Sequence, residues 1–118
     1  MYDDHEIPLS EFEMSHVDES NEIVFRVADE ATGFGNRQTG RQLRTKLQNL
    51  MRQFQEARVK VDFAGVALVS ASFADEFIAK LVVEMGHFSF FARVSIANTN
   101  RLISQTLDNV IKQRSQPG

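Results

Sequence analysis

Three short β-branched and aromatic runs, each followed by a stretch of helical periodicity, constrain this chain most. Ile23-Val24-Phe25-Arg26-Val27, Val59-Lys60-Val61-Asp62-Phe63 and Val94-Ser95-Ile96-Ala97-Asn98 read as strands. After the first, Leu43, Leu47, Leu50 and Phe54 recur at helical spacing and mark one buried helix face. After the second, Phe73, Phe77, Leu81 and Met85 stand four apart, Ile78 and Val82 widen the face, and Gly86 is the stop. After the third come Leu102, Ile103, Leu107, Val110 and Ile111. Strands separated by helices pair most simply in parallel, so this order predicts an α/β layer fold with a mostly parallel sheet.

The alternation Glu11-Phe12-Glu13-Met14 adds an expected edge strand. The full expectation is a mixed, mostly parallel four-stranded sheet packed with three helices. Residues 1–22 form an acidic N-terminal segment, 23–112 the domain and 113–118 a polar tail. Thr39, with Gln42 three residues later, is the expected cap of the first helix. Ser72 is the expected cap of the second, with Asp75 and Glu76 in its first turn where the helix dipole favours acids. Asn98 or Thr99 is expected to cap the third.

A chain of 118 residues with ten Phe has material for one core and one domain. It has no Cys, which removes disulfides and thiolate metal sites. No apolar run approaches the roughly 20 residues needed to span a bilayer. The start, Met-Tyr-Asp-Asp-His-Glu, is acidic where a signal peptide is basic, so a soluble cytoplasmic protein is expected. Charge is unevenly distributed. Residues 1–30 hold ten acids and one Arg, whereas residues 31–118 hold six acids and twelve Lys or Arg. The acidic head reads as a solvating segment, a self-masking arm or a lure for a partner.

Catalytic machinery is hard to assemble from these residues. His5, His16 and His87 neither pair at i, i+4 nor join a carboxylate cluster, so no metal is expected. Ser72 lacks the Gly-x-Ser-x-Gly setting of an activated hydroxyl. Asp75 and Glu76 are neighbours on a helix, point apart, and read as cap-stabilising charges. Gly33-Phe34-Gly35 and Gly40 have neither the Lys-Ser/Thr of a phosphate loop nor dinucleotide spacing. No cofactor and no enzymatic activity are expected. Asp62, at a strand end, reads as a turn former through backbone N–H bonds. Phe88, Phe90 and Phe91 read as core.

The run from Val61-Asp62-Phe63-Ala64-Gly65-Val66 through Ser70-Ala71-Ser72-Phe73-Ala74-Asp75-Glu76-Phe77 resembles the STAS-like domains of unknown function, relatives of the anti-sigma-factor antagonists. The likeness extends over about residues 23–112. It implies a bacterial regulatory and signalling module that binds a protein partner, such as a histidine-kinase-like ATPase of the anti-sigma type. The partner-binding residues it implies are Ser70, Ala71, Ser72, Phe73, Asp75 and Glu76. In the antagonists a Ser of this turn is phosphorylated. By position Ser70 matches an Asp, Ala71 the phosphorylated Ser, Ser72 the next Ser, and Phe73 a small Gly. Since Ala71 has no hydroxyl, phosphorylation is left to Ser72 or Ser70.

A second reading rests on charge. Arg37, Arg41, Arg44 and Arg52, with Lys46 nearby, form a basic strip that nucleic-acid phosphates could meet, with the acidic head as mask. No helix-turn-helix pair and no interleaved exposed aromatics accompany it, so nucleic acid is the lesser reading.

Overall fold

The computed structural model describes residues 21–116. Strand β1 (Glu22–Arg26) runs into a single turn, α1 (Val27–Glu30), and then the long helix α2 (Arg37–Gln53). Strand β2 (Arg58–Asp62) leads by a loop to a helix in three parts. These are α3 (Ala71–Ala74), a π-helical segment (Asp75–Ala79) and α4 (Lys80–Met85), continuous from residue 71 to 85. Helix α5 (His87–Arg93), strand β3 (Val94–Ala97) and helix α6 (Arg101–Ser115) complete the described chain.

All strand pairs are parallel, in the order β1-β2-β3. The register aligns Ile23, Val59 and Val94 in one row and Phe25, Val61 and Ile96 in the next. Because side chains alternate along a strand, these rows form one apolar face. Glu22, Arg26, Arg58, Lys60 and Asp62 occupy the other. Sequential strand order with right-handed crossovers places successive helices on the same face. The 71–85 helix lies in the middle of that layer, with α2 and α6 against it. Phe77 reaches the sheet, its ring centroid 5.9 Å from that of Phe25.

The described residues form three strands and five helices, counting residues 71–85 as one, against the expected four and three, and their sheet is parallel rather than mixed. The expected edge strand at 11–14 lies outside the described residues. Helix α5 is not among the expected helices, the sequence marking Phe88, Phe90 and Phe91 only as core. It forms because Gly86 (φ +88°) breaks the preceding helix and Phe90 can then turn into the core, fully buried and edge-on to Phe91. Phe88 stays outside, 89% exposed.

The caps also move. Asn36, not Thr39, starts α2, its side chain accepting from the Thr39 N–H at 2.8 Å. Ser70, not Ser72, starts the 71–85 helix, its hydroxyl accepting from the Phe73 N–H at 3.0 Å. Asn100 caps α6 through the Ile103 N–H at 2.9 Å. In each case the side chain must sit three residues before the N–H it accepts from, and the true cap is one to three residues from the expected one. Asn98 instead takes a left-handed turn (φ +59°) and donates to Asp62, which also accepts from the Ala64 N–H. The carboxyl of Asp62 lies below its usual range, held there first by Asn98 and then by that N–H.

The expected stripes are otherwise as drawn. Leu43, Leu47, Leu50, Phe73, Phe77, Ile78, Leu81, Val82, Ile103, Leu107 and Val110 are buried, while Leu102 faces out. The far end of α2 is closed by Arg93, which donates to the carbonyls of Met51 (2.8 Å), Phe54 and Ala57 (3.1 Å). These are carbonyls at or just past a helix end, the end that the macrodipole makes negative. No helix among the described residues is long and apolar enough to cross a membrane.

Candidate functional site

The loop after β2 brings residues 66–70 up to the layer of helices, at the carboxyl end of the sheet where α/β proteins place their clefts. The Ser70 N–H donates to the Phe34 carbonyl at 3.0 Å, pinning the loop before α2 to the start of the 71–85 helix. Ser70 is half-buried, and its hydroxyl is occupied as the cap. Ala71 is exposed. Ser72 is half-exposed, and its hydroxyl bonds to no described residue. Phe73 is fully buried between Phe34 and Phe77, each ring centroid 5.6 Å away. Asn100 donates to the Ala67 carbonyl at 2.7 Å, which draws the start of α6 alongside this loop. Next to that bond Leu68 is 62% exposed and Leu102 is 56% exposed.

Asp75 and Glu76 are not solvated cap charges. Residues 73–79 are all buried, Glu76 to 1% exposure, whereas the sequence reads both acids as cap-stabilising charges of a first turn. Isolated buried carboxylates are prohibitively costly, so they must be paired. Gly40 makes the pairing possible. A β-carbon there would stand 2.7 Å from the Phe73 carbonyl oxygen and 3.0 Å from the Glu76 Cβ, so α2 and the 71–85 helix meet at backbone distance. That contact sets Arg37, Arg41 and Arg44, one stripe of α2, over Glu76.

Arg37 Nη1 donates to Glu76 Oε1 at 3.0 Å and to Asp75 Oδ2 at 2.8 Å. Arg41 and Arg44 approach Glu76 Oε2 at 3.4 and 3.3 Å, and Arg44 also takes the Glu76 backbone carbonyl. Lys80, one turn on, donates to the same Oε2 at 3.1 Å. From α6, Arg114 grips Asp75 with two bonds, Nε at 2.6 Å and Nη2 at 2.8 Å. The acid pair thus ties α2 and α6 to the helix between them.

The electrostatics follow the geometry. The Arg114 hydrogen bonds, followed by Arg37, hold the Asp75 carboxyl at about 2 against the upward push of burial. For Glu76 burial is the largest single influence and pushes the carboxyl up, but Lys80, Arg37 and Arg41 together outweigh it and bring it to about 2. Hydrogen bonds to Asp75 and then Glu76 raise Arg37, and those to Asp75 raise Arg114.

A cavity of about 380 Å³ opens beside this cluster, lined by Arg37, Ala71, Ser72, Asp75, Val110, Gln113 and Arg114. A larger one of about 520 Å³ lies at the opposite ends of α2 and α4, among Met51, Leu81, Met85, Arg52 and Arg93. It touches none of the residues of the turn. Among the described residues no group of three or more His, Asp or Glu is placed to hold a metal.

Of the six partner-binding residues named from the sequence, Ala71 and Ser72 face outward and Ser70 lies at the rim. Phe73, Asp75 and Glu76 support them from inside. The basic strip divides. Arg37, Arg41 and Arg44 point at the acid pair, while Arg52 donates to Asn49 at 2.9 Å, away from the others.

No curated protein and no solved structure matches the chain. A family model does, over residues 39–103, a stretch running from the first turn of α2 through the turn and acid pair to the start of α6. The chain belongs to the family of STAS-like domains of unknown function.

Proposed function

We propose that this domain is a regulatory module that binds a protein partner stoichiometrically, without turnover, through the turn at Ser70, Ala71 and Ser72. The observation that carries this reading is the combination of an exposed Ala71, an unbonded Ser72 hydroxyl and the exposed Leu68 and Leu102 around one rigidly held helix start. A small exposed residue lets a partner's backbone approach closely. Apolar side chains beside a polar rim are the make-up of a protein-binding patch. The likeness to anti-sigma-factor antagonists supports a histidine-kinase-like ATPase as the partner. Of the two serines, Ser72 is the better phosphate acceptor, because the hydroxyl of Ser70 is occupied by the Phe73 N–H. A phosphate there would also stand close to Arg37 and Arg114.

The test is co-purification from the source cell of the intact chain and its Ser72→Asp variant, with mass-spectrometric identification of what each retains. One stoichiometric protein held by the wild type and lost by the variant is expected. Equal capture by both overturns the reading.

A further inference from the structure

The ion pairs around Asp75 and Glu76 are unequal in number. Arg37, Arg41, Arg44, Lys80 and Arg114 face two carboxylates, an excess of three positive charges. Glu84 lies beside Arg44, Lys80 and Arg114 but accepts from Gln48 at 3.0 Å, and counting it still leaves an excess of two. A surplus of cations around buried acids is more than the acids require.

The donors are also incompletely used. Arg37 gives only Nη1 to the acids, and Arg114 gives Nε and Nη2. Among the described residues, Arg37 Nε and Nη2 and Arg114 Nη1 have no partner. Both side chains are more than a third exposed and border the 380 Å³ cavity. Its remaining polar groups are the Ser72 hydroxyl and the Gln113 amide, both able to donate. Asp75 adds the one negative group, with each of its oxygens already accepting from Arg37 or Arg114.

We infer that this cavity receives a carboxylate side chain of the protein partner, clamped between the Arg37 and Arg114 guanidinium groups. The inference rests on the docking reading above and gives its chemistry: the partner's contact segment is acidic. Guanidinium groups suit this task because their planar donors match a carboxylate in pairs. Asp75 and Glu76 hold both arginines in place beforehand, which reduces the ordering needed on binding. A protein carboxylate, rather than a free anion, fits the apolar Leu68 exposed in the loop that leads into this turn.

The experiment is a titration of the intact isotope-labelled chain, followed by amide and arginine Nε–H nuclear magnetic resonance. The probes are hexaglutamate, hexaglutamine and inorganic phosphate. Saturable shifts with hexaglutamate, confined to Ala71, Ser72, Gln113 and the two arginines, are expected, with none from hexaglutamine. The decisive variant is Gln113→Glu, because Gln113 is exposed and takes no part in the ion pairs. It places a like charge at the cavity mouth without disturbing the fold. Hexaglutamate affinity should fall about tenfold with the melting temperature maintained. Shifts spread over every basic residue, undiminished affinity in Gln113→Glu, or tighter binding of phosphate than of hexaglutamate each overturn the inference. If they do while Ser72→Asp still abolishes capture, the docking reading stands and only its acidic chemistry falls.

Discussion

Replacing Glu76 by Gln removes one negative charge from the most buried polar position of the helical layer while keeping its shape. The carboxyl is held at about 2 against an ordinary 4.5. At roughly 1.4 kcal/mol per tenfold change in proton affinity, this corresponds to a ceiling of about 3 kcal/mol. Arg37 and Arg41 are about half exposed and screened by water, which reduces the figure to about 2 kcal/mol. Repulsion among five cations facing only Asp75 acts in the same direction. For a domain of this size the variant should melt about 10 °C lower at pH 7.

The pH dependence separates this cause from simple loss of packing. A carboxyl depressed in the folded state contributes its stability above the unfolded value and loses it as pH falls toward the folded one. The wild type should therefore lose the Glu76 contribution between about pH 4.5 and 2, and the variant should not. Asp75 titrates in both proteins, so the difference between them follows Glu76 and its coupling to its neighbours. Thermal melts by circular dichroism at pH 7 and pH 3 give the comparison, and more than half of the gap should close at the lower pH. Equal melting temperatures at pH 7, or a gap of the same size at both, would refute the reasoning.

Gly40→Ala should destabilise by about 2 kcal/mol in urea unfolding, although Ala is the better helix former. The added carbon meets the rigid Phe73 carbonyl at 2.7 Å, so α2 must move off the 71–85 helix; unchanged or raised stability would count against that close approach. Arg93→Ala should cost about 2 kcal/mol by taking the guanidinium from three carbonyls near the end of α2, of which that of Phe54 keeps the Ala57 N–H. A loss under about 0.5 kcal/mol would mean that water replaces the guanidinium there.

What was legible in the sequence is what a short window determines. The three strands lie within one residue of the expected positions because β-branched runs flanked by loops have few alternatives. The leucine and phenylalanine stripes gave the inner helix faces for the same reason. Helix α5 escaped because His87-Phe88-Ser89-Phe90-Phe91 is aromatic without a clear period, and what holds it, the pocket for Phe90 and the carbonyls that Arg93 meets, lies far away along the chain. The caps were displaced because several residues near each helix start are competent, and only backbone geometry selects among them.

The acid pair shows a different kind of limit. Each of Asp75 and Glu76 had a sufficient local explanation as a first-turn charge, so nothing called for partners. Yet the run Phe73-Ala74-Asp75-Glu76-Phe77-Ile78-Ala79 is apolar on every side except at those two positions. A helix with no polar face is a helix covered all round, and acids within it cannot remain solvated. That alone demands cations from neighbouring elements. The stripe Arg37, Arg41, Arg44 with Gly40 inside it was the visible counterpart: three long cations around a residue with no side chain mark where two helices touch. The segment also departs from α-helical bonding where the charges gather. The Lys80 N–H reaches the Asp75 carbonyl five residues back, while Arg44 takes the Glu76 carbonyl. Arg37, Arg41 and Arg44, once read as part of a surface strip, are thus structural on their inner side, and the donors left over at Arg37, joined by those of Arg114 from α6, border the cavity that faces outward.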